Sequence, residues 1–240
     1  MLADSIGKMI KGNQEFVMID DQKVVYENAL ALAKQASFTN KQVLIVQGGP
    51  GTGKSVVAIN LLVELTKTGL LAHYVSKNAA PRAVYESRLT GSLRPTIIRN
   101  LFKGSGAFIG TPENEYDALI IDEAHRLNKH SGLYGNLGEN QIKEIISASK
   151  FCIFFIDEDQ RVTLKDIGQK SEIELWAHKL GASVTEMELN SQFRCNGSDG
   201  YLAWLDNILQ IKETANNELG DIEYDFKVVD NPSELRDVIF

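Results

Sequence analysis

The chain has 240 residues and a formal net charge of −7, with 43% hydrophobic and 24% charged residues. This is the balance of a globular protein that can bury a core without disulfide or metal staples. The acidic excess argues against a surface coated for nucleic acid. The longest apolar run, Phe151 to Ile156, is far too short to span a membrane, and the N-terminus has no apolar segment of signal-peptide length.

In chain order, residues 24–36 have helical spacing of apolar residues, and 42–47 form a short β-rich run that ends in glycines. Residues 55–68 are apolar around most of the helix circumference, and Gly69 stands where a left-handed residue ends such a helix. Residues 71–76 read as a strand, and 79–89 as a helix with Pro81 in its first turn. Further strands are expected at 118–121, 151–156 and 183–189. Residues 104–115 and 128–140 are rich in turn formers and read as loops. Continuous apolar strands separated by helices imply an α/β fold, a mostly parallel sheet covered on both faces. The tail differs: an amphipathic helix at 198–212, an alternating strand at 222–229, and a helix begun at 231–240 that stops without a cap. It reads as the start of a second domain, with a boundary expected at 195/196 and the remainder expected beyond residue 240.

The two cysteines, Cys152 and Cys195, have no metal-ligand spacing, so a reduced, cytoplasmic chain is expected. Residues 77–103 carry six basic side chains (Lys77, Arg82, Arg88, Arg94, Arg99, Lys103) against one acid, Glu86. Such an island suits a solvated face, and equally a surface that contacts phosphates.

The motif Gly48-Gly49-Pro50-Gly51-Thr52-Gly53-Lys54-Ser55 fits G-x-x-x-x-G-K-[ST] between a strand and a helix. Its glycines let backbone N–H groups turn inward around phosphates, and the helix N-terminus adds a positive dipole end. Lys54 would reach the β and γ phosphates, and the Ser55 hydroxyl would ligate Mg2+, which points to ATP as the ligand. Asp122 and Glu123 end the next apolar strand, in Leu119-Ile120-Ile121-Asp122-Glu123-Ala124-His125. Adjacent acids also suit a solvated turn. After a phosphate loop they suit a metal ligand, Asp122, and a base for water, Glu123. Asp157 to Gln160 close the following strand, where an amide could sense the γ phosphate. Arg194, in Leu189-Asn190-Ser191-Gln192-Phe193-Arg194, is by default a surface charge, and at a domain junction an arginine finger.

In this order the motifs resemble a superfamily 1 helicase motor. They are similar in particular to the bacterial schlafen group-3-like DNA/RNA helicase domains, in which the phosphate loop is followed by a segment like Val75–Arg82, an Asp-Glu-Ala-His box, a D-x-x-Q motif and a Q-F-R motif. The resemblance covers residues 22 to about 206. It implies a RecA-like P-loop NTPase fold, an adenine-reading role for Gln22, a γ-phosphate sensor at Gln160 and a finger at Arg194. It also implies single-stranded DNA or RNA as a partner of the 75–103 region. Two features depart from the pattern: Ile156 stands where a glycine usually precedes the Asp, and Gln-Phe-Arg replaces Asn-Tyr-Arg. The last two helicase motifs are absent, so this stretch by itself is expected to hydrolyse ATP weakly.

Two other functions compete. One is an ATP-driven switch that remodels a protein partner without unwinding. The other is a phosphotransferase on the same loop, which fits poorly because Glu123 beside Asp122 suits water activation.

Overall fold

The computed structural model describes residues 18, 20–79, 83, 100–132, 135–161, 163–191, 199–211, 213–214 and 227–239. Backbone contacts divide the chain into two units, Met1–Phe193 and Arg194–Phe240.

Among the described residues, the first unit forms a six-stranded sheet in the order β3-β2-β4-β5-β1-β6. Its strands are β1 (Gln42–Gly48), β2 (Ala72–Val75), β3 (Phe102–Lys103), β4 (Tyr116–Ile121), β5 (Ser149–Ile156) and β6 (Ser183–Leu189). Each neighbouring pair is parallel. Parallel strands need crossovers, and helices at Lys54–Lys67, Gln141–Ala148 and Lys170–Lys179 supply those from β1 to β2, β4 to β5 and β5 to β6. Alternation along each strand sends side chains to opposite faces. Leu44, Val46, Ile120, Ile153 and Phe155 pack on one face with α1 (Asp20–Gln35) and α2 (Lys54–Lys67). Val43, Ile45, Ile121, Phe154 and Ile156 pack on the other with α3 (Gln141–Ala148) and α4 (Lys170–Lys179). The α/β sheet covered on both sides is therefore as the sequence implies. Each large aliphatic or aromatic side chain buried this way stabilises the fold by about 1.5–3 kcal/mol.

The strand order positions the site. β5 lies between β1, which carries the phosphate loop, and β4, which carries the acidic box. The carboxyl ends of all three strands therefore open on one edge, where ligands bind in open α/β sheets.

Several elements differ from the sequence reading. The spacing of Ile142, Ile145 and Ile146 makes α3 an amphipathic helix, and Asn140 caps it by accepting Ile142 N–H at 2.9 Å and Lys143 N–H at 3.2 Å. Neither that helix nor α4 is among the elements the sequence predicts. The expected loop at 104–115 contains a tight 3₁₀ turn at Ser105–Phe108. Its buried Phe108 meets Tyr116 edge-on with ring centroids 5.7 Å apart. The loop at 128–140 is tied down by bridges Asn128↔Asp166 and Ser131↔Leu137. Gly69 does end α2, with φ 84, and Leu70 N–H bonds Leu65 O at 3.1 Å across it. Of the helix expected at 79–89, residues 79 and 83 are helical and the rest lies outside the described residues.

In the second unit, α5 (Asp199–Ile208) stacks Tyr201 on Trp204, and α6 (Pro232–Ile239) follows. Of the strand expected at 222–229, only 227–229 are described, and they carry no regular structure.

Candidate functional site

The phosphate loop joins β1 to α2. Gly53 is the N-cap of α2, with φ 85 and no side-chain cap. Helix N–H groups that are not satisfied by a side chain form a ready anion seat. Side chains rarely adopt that φ, and a Cβ on Gly53 would stand 2.2 Å from Gln22 Nε2. Thr52 Oγ1 donates to Gly49 O at 3.0 Å and braces the turn. Lys54, 7% exposed, turns back into the loop. Its Nζ donates to Gly48 O at 2.5 Å and Gly49 O at 2.8 Å and stands 3.7 Å from Asp157 Oδ2. A buried ammonium held on carbonyl groups, beside a loop with no acid of its own, fits a polyanionic ligand such as a nucleoside triphosphate.

Asp122, at the end of β4, is fully buried and faces Ser55 on α2. The Ser55 hydroxyl donates to its Oδ2 at 2.7 Å, the Tyr74 hydroxyl of β2 donates to the same oxygen, and Glu123 N–H donates to Oδ1 at 3.0 Å. Burial raises the Asp122 pKa, and the Tyr74 and Ser55 hydroxyls work against that rise. A hydroxyl and a carboxylate in contact, across from a phosphate loop, form a donor set suited to Mg2+. Among the described residues there is no cluster of three or more acidic, His or Cys side chains that would hold a metal by itself. The protein offers only a partial shell, as a magnesium ion shared with phosphates requires.

Glu123 adopts φ 54, a left-handed conformation that costs stability and is concentrated at functional sites. Its carboxylate is fixed by His125, which is 1% exposed: Nε2 lies 3.1 Å from Glu123 Oε2. The other ring nitrogen, Nδ1, accepts the backbone N–H of Asp157 at 3.1 Å. Nδ1 is thus the acceptor, which leaves Nε2–H to donate to Glu123. The His125 hydrogen bond, against opposing burial, holds the Glu123 carboxyl below the usual glutamate range. Gly168 supports this turn from outside, since a Cβ there would lie 1.8 Å from Ala124 O.

Asp157 closes β5 between these groups. Burial raises its pKa, opposed first by Lys54, and its Oδ2 is buried with no hydrogen-bond partner. Lys54 Nζ is 3.7 Å from that oxygen, and a ligand drawing Lys54 away would change the charge Asp157 sees.

The structure thus brings Gly48, Gly49, Pro50, Gly51, Thr52, Gly53, Lys54, Ser55, Asp122 and Glu123 to one sheet edge. Gln22, 5% exposed, donates Nε2 to Thr52 O at 3.0 Å and so lies against the loop. Gln160 ends a short 3₁₀ turn, Glu158–Gln160, directly after β5. Arg194, with Gln192 and Phe193, lies outside the described residues. So do Arg82, Arg88, Arg94 and Arg99 of the basic island. Lys77 of that island is committed within the fold, to Asn128 Oδ1 at 2.9 Å and the buried Asp166 at 3.0 Å. Sequence reasoning assigned no role to Tyr74, Asp157 or His125. The histidine stood in the acidic box, but nothing in its spacing says which group it faces. No described helix is long and apolar enough to cross a membrane.

The profile of the family described as Schlafen group 3, DNA/RNA helicase domain, matches residues 41–239. An uncharacterized protein of Saccharomyces cerevisiae is 22% identical over 194 residues, covering 72% of this chain and 43% of its own length. Among solved structures, the chain is similar to a DNA replication initiation factor, with TM-score 0.39, 17% identity, and 96% of this chain and 62% of that one covered. It is likewise similar to AMPPCP-bound DnaA from Aquifex aeolicus, with TM-score 0.39, 17% identity, and 84% and 56% covered. The chain spans less than half the length of the yeast relative and under two thirds of both solved chains. The match over most of the sequence, on a phosphate loop and an acidic box set at one edge of a parallel sheet, shows that the chain belongs to the Schlafen group 3 DNA/RNA helicase domain family.

Proposed function

We propose that this chain is the ATP-hydrolysing part of a superfamily 1-like motor that moves on single-stranded DNA or RNA. The observation that carries the reading is the Ser55–Asp122 contact at 2.7 Å, with Glu123 fixed beside it by His125 at 3.1 Å. A plain glycine turn has no use for a buried carboxylate opposite its serine.

In this reading the loop amides and Lys54 bind the triphosphate, and Gln22 reads adenine from beside the loop. Ser55 and Asp122 would hold magnesium, which when bound neutralises charge building on the phosphoryl oxygens. Glu123 orients a water molecule and takes its proton, and His125 keeps the carboxylate aimed and ionised. Gln160 senses the γ phosphate, and Arg194 stabilises transition-state charge as a finger. Residues 196–240 begin a second motor domain. The 75–103 region, with its basic excess, contacts the strand. A reducing, cytoplasmic setting agrees with Cys152, a buried free thiol whose pKa burial pushes up to about 11.

ATP turnover with and without single-stranded DNA or RNA tests this. Stimulation that fades with added salt is expected. Turnover indifferent to every nucleic acid would instead favour a remodelling ATPase acting on a protein. Lys54→Ala should abolish nucleotide binding, and unchanged binding would refute the assignment of the loop.

A further inference from the structure

Asp21 carries an arrangement that nucleotide binding and hydrolysis do not use. It lies in the first turn of α1, next to Gln22. Its Oδ2 accepts the backbone N–H groups of Asn190 and Ser191, each at 2.9 Å. Its Oδ1 accepts the Gln22 N–H at 2.9 Å. Partial burial works to raise the Asp21 pKa, but the Ser191 and Asn190 amides outweigh it and hold the carboxylate below its usual range. Charge-assisted bonds of this kind are about twice as strong as neutral ones.

The position of these bonds gives them meaning. Asn190 and Ser191 directly follow β6, and the next residues in the chain are Gln192, Phe193 and Arg194. On the other side, Gln22 is bonded to Thr52 O at 3.0 Å. The loop also touches the end of β6 directly: a Cβ on Gly48 would lie 3.2 Å from Leu189 Cβ and 3.3 Å from Leu189 O. Phosphate loop, start of α1 and exit of β6 therefore form one contiguous set of contacts. The loop has a reason to move, because Lys54 holds Gly48 O and Gly49 O and a triphosphate must draw that ammonium away.

We propose that Asp21 is a positioning residue that ties the phosphate loop, through Gln22, to the Asn190–Ser191 segment, so that nucleotide binding resets the stretch leading into Gln192, Phe193 and Arg194. This rests on the proposed nucleotide site. Mere adjacency does not prove coupling, so the test perturbs the tie and reads both ends.

Hydrogen exchange is measured on the full chain with and without a non-hydrolysable ATP analogue and Mg2+, for wild type, Asp21→Ala and Asp21→Asn. In wild type, the analogue should change protection at the loop and at residues 190–191 together. In Asp21→Ala the loop still responds, while 190–191 exchange about tenfold faster, the loss of one charged hydrogen bond, and ignore the analogue. Asp21→Asn keeps one carbonyl acceptor and should restore part of the response; it also carries the comparison should the alanine variant unfold. Turnover should split the same way, with kcat down by about tenfold and KM for ATP nearly unchanged. Residues 190–191 that respond in both variants as in wild type would overturn the proposal. If wild type itself fails to bind the analogue, the nucleotide site is wrong and this proposal falls with it, a result distinct from binding without coupling.

Discussion

Tyr74→Phe removes a hydroxyl that is bonded to the buried acid. Tyr74 is 1% exposed, and its ring packs on Phe102 with centroids 5.6 Å apart. Phenylalanine keeps that packing and deletes only the hydroxyl that donates to Asp122 Oδ2. The oxygen then retains the Ser55 hydroxyl at 2.7 Å. A hydrogen bond to a charged group is worth about 1.5–3 kcal/mol, so the variant should be destabilised by that amount. For a domain of this size the melting temperature should fall by roughly 3–12 °C. The pH dependence has a definite sign. Burial already raises the Asp122 pKa, and deleting the phenol removes the leading opposing group, so the pKa rises further. An acid whose folded pKa exceeds its unfolded value costs stability once ionised. The gap between wild type and variant should therefore be largest at neutral pH and shrink as pH falls through the folded pKa values. Thermal unfolding across pH, read by circular dichroism, measures it. Melting temperatures that agree within about 1 °C at neutral pH, or a gap that widens toward acid, would refute the reasoning.

Two further outcomes are expected. Glu123→Gln keeps the side-chain shape but removes the base, so turnover should fall by about 10²–10⁴-fold with analogue affinity retained; turnover at the wild-type rate would show that Glu123 is no base. Gly168→Ala places a Cβ 1.8 Å from Ala124 O and 2.7 Å from His125 Cα. Either strand of backbone must shift, costing about 1–3 kcal/mol or more, and turnover should drop with stability because the displaced turn carries Glu123 and His125. A variant as stable and active as wild type would mean that the close approach is absent.

Much of the fold is legible because it depends on short-range signals. The alternation of apolar runs with helices gives the α/β class, and the glycine-rich turn between β1 and α2 is a local steric requirement. The strand at 183–189 is legible although it is an edge strand with exposed Ser183, Glu186 and Glu188, since its alternation survives one-sided burial. Helix α3 carries equally good signals in Asn140 and three isoleucines. The turn formers at 128–140 that run into Asn140 read as a loop and hide its start.

The sequence by itself determined which groups are present and in what order: a phosphate loop, an acidic box, an Asp-x-x-Gln turn and a Gln-Phe-Arg segment. Each is a local pattern whose chemistry follows from residue type and spacing. Only the tertiary structure decided what those groups face. β5 lies between β1 and β4, which sets Asp157 beside Lys54 and points His125 at Glu123. Tyr74 reaches Asp122 from the neighbouring strand, and Asp21 reaches the exit of β6 across 169 residues of sequence. Contacts of this kind depend on strand order, and strand order is set by how the whole sheet buries its two faces, which no local pattern records.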